Sequence, residues 1–336
     1  MRQLLLALLL ACALSASLPA GRPLADELGA GFLDLPLTDP VEGGPMPAVV
    51  FFPTRRQDGA TQLGPFSIEA ARGAVPAAGP FPLVVLSHGT GGSYLGHHDS
   101  LTALARAGFV AAAVEHPRDN FRDRSGFGTD LQLIGRPHHI VALIDGVLSH
   151  PAIGPLIDRA RIGMAGFSAG GYTALLIAGA EPDFALVREY RRAVPDDPLT
   201  RRAGAGGLPR RRPDLRPVSD ARVKALFLMA PALGYVFDRA GLAKVQVPVR
   251  LYRPAADEIL RHPWNAERIA RLLPRPPEYQ VVERAGHYVF LAPCPALLAQ
   301  RFGDICRDPP GIDRAAFHAR LNGEMVDFFR RALGPG

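Results

Sequence analysis

The segment Gly166-Phe167-Ser168-Ala169-Gly170 sets a serine in the form G-x-S-x-G, where an apolar run, Ala160 to Gly166, gives way to a helical pattern. In a strand-to-helix context this pentapeptide bends sharply and presents the serine hydroxyl as a nucleophile. The glycines fit such a bend because the neighbouring strand and helix come too close for a Cβ. A serine hydroxyl is weak until a base takes its proton, and the base needs a carboxylate to hold its tautomer and stabilise the imidazolium. Of ten histidines, His287 in Arg284-Ala285-Gly286-His287-Tyr288 is the best placed, because it follows the apolar run ending near Val282. Asp257 follows the run Val247 to Tyr252 and is preferred as the carboxylate, with Glu258 beside it as the competitor. Acyl transfer also needs donors for a developing oxyanion. Ser87-His88-Gly89-Thr90-Gly91-Gly92 follows another apolar run. Its glycines let backbone approach a ligand, so the donors are assigned to the backbone amides of Thr90 and Ala169, with His88 as a structural turn residue.

These residues act together only if the elements before them end at one edge of a sheet. Pro82 to Ser87 is a continuous apolar run of strand length, and Phe109 to Val114, Ala160 to Gly166, Lys224 to Met229, Val247 to Tyr252 and Tyr279 to Val282 repeat the theme. Helical patterns alternate with them over Ser100 to Ala107, Ile134 to Leu148, Tyr172 to Ala180, Glu267 to Leu273 and Arg314 to Leu333. That alternation predicts an α/β architecture, a mostly parallel sheet covered by helices on both faces. Such sheets bind ligands beyond the carboxyl ends of their strands. Each member of the series Ser168, Asp257, His287 then follows a different strand and reaches the same edge, in the chain order of an α/β hydrolase.

The chain has 336 residues, a formal charge of +6 and 48% hydrophobic residues, an ordinary globular composition that excludes collagen-like and disordered readings. The charge is concentrated. Between Arg188 and Arg216 there are nine Arg against Glu189, Asp196, Asp197 and Asp214. A nucleic-acid footprint would be a patterned stripe on a recognisable module, so no nucleic-acid partner is expected. The segment 181–219 instead reads as an Arg- and Pro-rich insertion over one end of the sheet, a lid or a mobile loop. It is either solvated or in contact with an anionic substrate or membrane surface. Trp264, the only tryptophan, either lines an acyl pocket or covers the helix Glu267 to Leu273.

Arg2, the apolar run Leu4 to Leu14 and the small residues Ser15 to Ala20 have the pattern of a secretory signal peptide, expected over residues 1–20. As a helix the apolar run reaches only ~16 Å against a ~30 Å hydrocarbon core, too short for a permanent anchor. Leu9-Leu10-Ala11-Cys12 allows lipoprotein processing at Cys12 as the lesser alternative. The expectation is an exported protein, periplasmic or secreted, with one catalytic domain over residues 21–336. Its two remaining cysteines, Cys294 and Cys306, are expected to form a disulfide in preference to two buried thiols. His97-His98-Asp99, Glu115-His116 and His138-His139 lack the spacing of a zinc site, so no metal and no cofactor is expected.

The motifs LSHGTGGS (86–93), AGFVAAAVEHPRDN (107–120), GFSAGG (166–171) and AGHYVFLAPC (285–294) resemble the predicted dienelactone hydrolases and are similar to platelet-activating-factor acetylhydrolases, both of the α/β-hydrolase superfamily. The resemblance implies a serine esterase without cofactor, with Ser168 as nucleophile, His287 as base and the Thr90 amide in the oxyanion hole. The chain departs from each group once. Acetylhydrolases carry their acid where this chain has Ala230-Pro231-Ala232, which favours Asp257, whereas dienelactone hydrolases proper use cysteine where this chain has Ser168. The expected function is an exported serine hydrolase acting on small-molecule or lipid carboxylic esters, with short-chain or acetyl esters foremost. An acyltransferase using the same residues and a catalytically silent binding scaffold are the alternatives.

Overall fold

The computed structural model describes residues 28–55, 59–198 and 211–334. The expected signal peptide, Cys12 and the middle of the insertion lie outside the described residues. The described strands are β1 Leu28–Thr38, β2 Pro45–Arg55, β3 Thr61–Leu63, β4 Phe66–Ile68, β5 Ala71–Arg72, β6 Phe81–Ser87, β7 Val110–Val114, β8 Ile157–Phe167, β9 Val223–Met229, β10 Val249–Pro254 and β11 Glu278–Val282. The described α-helices are α1 His98–Arg106, α2 Asp130–Leu133, α3 Gly135–Ser149, α4 Ala169–Ile177, α5 Val187–Ala193, α6 Ala266–Leu272, α7 Ala296–Arg301, α8 Gly303–Cys306 and α9 Arg314–Leu333.

Nine strands form one sheet in the order β11-β10-β9-β8-β6-β7-β2-β1-β5, with β3 and β4 as a separate hairpin. From β11 to β7 every pair is parallel, and β2 joins β7 and β1 antiparallel. The central strands β6 and β7 are apolar almost throughout because both faces of the sheet are covered there, and the two-residue period sorts their side chains. Leu83, Val85, Val110, Ala112 and Val114 join one buried cluster with Ile140, Leu143 and Ile144 of α3 and Leu175 and Leu176 of α4. Val84, Leu86, Ala111 and Ala113 join another, with Leu101 and Leu104 of α1 and Phe328 and Phe329 of α9. At the centre β6 has β7 on one side and β8 on the other, so the chain leaves it in opposite directions and opens the crevice where such sheets take ligands.

Three differences from the expected elements have physical causes. The helix expected from Tyr172 begins at Ala169, directly behind the serine, and all nine of its residues are buried. An Ala-Gly-Gly opening carries no apolar period, so only packing reveals it. β1 carries Asp34, Pro36 and three small residues at its start, and pairing with β2 over its full length makes it a strand. The insertion is not all loop. It contains α5, whose Tyr190 is buried, stacks on Tyr235 at a 4.0 Å centroid distance and meets Trp264 edge-on at 5.5 Å. The guanidinium of Arg268, on α6, lies over the Trp264 ring at 5.6 Å. Trp264 therefore covers α6 and clamps the start of the insertion to the body. The far end is held by the carboxylate of Asp130, which accepts from the amides of Arg211 and Arg212 at 2.8 and 3.0 Å.

Cys294 and Cys306 form a disulfide across a sequence separation of 12, with Cα atoms 5.6 Å apart, around α7 and most of α8. Closing a loop of this length removes about 3 kcal/mol of unfolded-chain entropy on the chain-entropy estimate. The double variant Cys294→Ser/Cys306→Ser should lose about that stability in urea titration. Its unfolding midpoint should no longer respond to a thiol reductant, whereas that of the unaltered chain should fall on reduction.

Candidate active site

Ser168 links β8 to α4 with φ 53° and ψ −116°, a left-handed conformation that costs a non-glycine residue about 1–3 kcal/mol. Its surroundings impose it. The Ser168 amide donates to the Met229 carbonyl at the end of β9 at 2.9 Å, and its carbonyl accepts from Gly171 at 2.9 Å and Ala232 at 3.0 Å. The motif's glycines are steric requirements: a Cβ on Gly166 would stand 2.2 Å from the Gly170 carbonyl oxygen, and one on Gly170 would stand 1.9 Å from that of Ser87.

His287 opens a short 3-10 turn after β11, and its Nδ1 lies 2.9 Å from Asp257 Oδ2, both side chains being buried. An ionised carboxylate only accepts, so Nδ1 carries the proton and Nε2 presents its lone pair. Asp257 is itself fixed by the Ile259 and Leu260 amides, which donate to its other oxygen at 2.9 and 2.7 Å. The choice between neighbouring acids is thus divided by geometry. Asp257 takes the imidazole, while Glu258 accepts the His287 backbone amide at 2.9 Å and holds the turn. The loops themselves are laced together, Ala255 donating to Val282 and Ala256 to Ala285, each at 2.9 Å.

The Phe167 ring joins the two halves of the site, its centroid 4.9 Å from that of His287. No hydrogen bond joins Ser168 Oγ to His287 among the described residues. Ser87 pairs with Gly166 in the sheet, which puts the loop after β6 beside the serine turn, and a Cβ on Gly89 would lie 3.3 Å from Ser168 Cβ. Ala169 opens α4, so its amide has no intrahelical acceptor. The Thr90 amide likewise donates to no protein acceptor among the described residues.

Sequence reasoning missed what holds this loop. Arg136 and Asp119 form an ion pair at 2.7 Å with side chains 1% and 0% exposed. Asp119 also accepts from the Gly91 amide at 3.1 Å and from Gln132 Nε2 at 2.8 Å. Arg136 donates to Ser87 Oγ at 3.1 Å and to the His88 carbonyl. The Ser87 hydroxyl also meets His116 Nε2 at 2.9 Å and donates to it, a direction set from the far end of the hydrogen-bond chain, where the Asp39 carboxylate only accepts. His116 Nδ1 then donates to His139 Nδ1 at 3.1 Å, and the His139 Nε2 proton faces Asp39 Oδ1 at 3.1 Å, off hydrogen-bond alignment. His88 accepts the His116 amide on Nε2 at 3.1 Å and gives its Nδ1 proton to the Gly89 carbonyl at 2.7 Å, a structural role. The available signal was a lone Arg inside the apolar helical run that became α3. The other histidine motif is also engaged, His318 on α9 meeting Asp99 at 2.6 Å. Among the described residues no three His, Cys, Asp or Glu side chains are gathered as metal ligands would be.

Burial, with the Arg136 charge second, holds His88 and His116 well below the ordinary histidine range. His97, packed edge-on against Phe167, is pushed by burial from 6.5 to about 4. Between those values the unfolded chain binds a proton that the folded chain refuses, so stability should fall as pH drops from 6.5 towards 4. His97 alone contributes about 3 kcal/mol to that loss. Urea titrations across this range should show it, and His97→Leu should flatten the slope. Arg136→Met should cost about 3–5 kcal/mol by leaving Asp119 buried and unpaired, whereas Arg136→Met/Asp119→Leu should recover much of that stability.

No family model matches the chain, and no curated protein matches it. Solved structures do. A ferulic acid esterase from Streptomyces cinnamoneus superposes with a TM-score of 0.59 at 21% identity, over 93% of each chain. A dienelactone hydrolase-like promiscuous phosphotriesterase from metagenomic libraries superposes with a TM-score of 0.53 at 16% identity, over 91% of this chain and 100% of that one. The strand order, the serine turn after β8 and these likenesses together give the chain the α/β-hydrolase fold.

Proposed function

We propose that the chain is an exported serine hydrolase that cleaves carboxylic esters through Ser168, His287 and Asp257. The observation that carries this reading is the Asp257–His287 hydrogen bond at 2.9 Å beside a serine held in the left-handed turn of a G-x-S-x-G motif. His287 Nε2 takes the proton of Ser168 Oγ as the oxygen adds to the ester carbonyl. The Thr90 and Ala169 amides receive the oxyanion, and the alkoxide leaves with the proton from His287. Water, deprotonated by the same imidazole, then releases the acid and restores the serine. Serine–histidine bonds in unliganded sites are often long and tighten with substrate, so the open pair fits this mechanism.

Short acyl groups are the favoured substrates, because Ser168 is only 8% exposed and His287 only 2%. The Cys294–Cys306 bridge supports export, since disulfides persist in oxidising compartments. With the N-terminal pattern, it favours a mature chain beginning near residue 21 whose single catalytic domain includes the 181–219 insertion.

Purified protein should hydrolyse p-nitrophenyl acetate and butyrate faster than the octanoate, and methyl hydroxycinnamates extend the panel to aryl acids. Ser168→Ala should lower kcat by at least ~10⁴-fold, and Asp257→Asn by on the order of 10⁴, with Glu258→Gln costing far less. Undiminished turnover by Ser168→Ala would overturn the assignment.

A further inference from the structure

Thr90 is bound to its surroundings in one direction only. Its Oγ1 lies 2.7 Å from Gln132 Nε2. The orientation of that amide is determined by its other partners. Gln132 Nε2 also meets the Asp119 carboxylate at 2.8 Å, which can only accept, and Gln132 Oε1 meets the Gly128 amide at 2.8 Å, which can only donate. A flipped amide would set oxygen against carboxylate and N–H against N–H. Gln132 therefore donates, the Thr90 oxygen accepts, and the hydroxyl proton of Thr90 is left to point elsewhere. Among the described residues it has no acceptor, and neither has the Thr90 amide.

The hydroxyl and the amide of one threonine are three bonds apart, close enough for a single ligand oxygen to receive both. We propose that Thr90 supplies two donors to the oxyanion, its backbone N–H and its side-chain hydroxyl, which makes three with the Ala169 amide. Gln132 is the positioning residue: it occupies a lone pair of the hydroxyl, limits the directions left to its proton and strengthens it as a donor by polarising it. The Gly128 amide and Asp119, itself paired with Arg136, hold Gln132 in turn, so the hydroxyl is aimed before substrate arrives, which is the condition under which such a donor contributes most to rate. The proposal deepens the serine-esterase reading and rests on it.

The test uses Thr90→Val, which keeps the shape and the amide and removes the hydroxyl, with Thr90→Ser as the conservative return of the donor and Gln132→Met as the loss of its guide. The readouts are p-nitrophenyl butyrate kinetics and inhibition by an alkyl trifluoromethyl ketone. Ser168 Oγ adds to the carbonyl of that inhibitor and passes its proton to His287, leaving a hemiketal oxyanion in the hole. For Thr90→Val, kcat should fall by on the order of 10² with KM within about threefold, and the inhibition constant should rise by the same factor. Thr90→Ser should recover most of the lost rate. Gln132→Met should move kcat and the inhibition constant together by a smaller factor. A Thr90→Val enzyme with kcat within about twofold of the parent, while Ser168→Ala is inactive, would overturn the hydroxyl's role and leave the esterase reading intact. A loss confined to KM, with unchanged ketone affinity, would overturn it as well. Turnover by Ser168→Ala would remove both.

Discussion

A charged pair with almost no contact with water, Arg136 and Asp119, is the constraint on which the site depends. Burying two ions costs several kcal/mol each, and an apolar pair of similar volume is often no less stable. What the charges provide is direction. Arginine can only donate and aspartate can only accept, so Asp119 commits Gln132 to donate to Thr90 on one side, while on the other the Asp39 carboxylate sets the direction of the chain His139, His116 and Ser87 that ends beside Arg136. The turn after β6 is thereby held by side chains from the loop after β7 and from α2 and α3, in addition to the His88 bond to Gly89 within it.

The strained serine is held in a complementary way. Backbone hydrogen bonds to the end of β9 and to the turn behind it keep Ser168 in a conformation that its own Cβ disfavours. The histidine and its acid belong to a third assembly at the β10–β11 end of the sheet, locked by Glu258 and by paired loop backbones. Three separately braced pieces meet at one sheet edge because the strands before them are parallel and in register.

The Arg-rich insertion is tied to this framework at both described ends, by Tyr190 against Tyr235 and Trp264 and by two backbone amides on Asp130. Asp130 stands two residues before Gln132 on the same short helix. Several of the insertion's cations are also engaged: Arg212 pairs with Asp214, and Arg216 donates to the Pro213 carbonyl. The segment is more firmly attached than its composition suggests.

Much of this was legible in the residues. The six parallel strands, α3 and α9 follow from apolar runs and periods, since burial on both sheet faces writes itself directly into composition. The G-x-S-x-G turn follows from sterics, and the bridge between Cys294 and Cys306 from an even pair behind an export pattern. Other features carry no local signal. A helix that starts with Ala-Gly-Gly, a first strand interrupted by Asp34 and Pro36, and a tyrosine that docks an insertion all depend on what lies against them. The same holds for the choice of Asp257 over Glu258, where two adjacent acids differ only in which one reaches the ring. The sequence by itself determined the order of elements and which residue types stand at strand ends, because those depend on burial and backbone sterics within a few residues. Only the tertiary structure decided how Asp119, Gln132 and Arg136 hold the loop that carries Thr90, because hydrogen-bond direction is a property of which groups meet, and these groups come from separate segments of the chain.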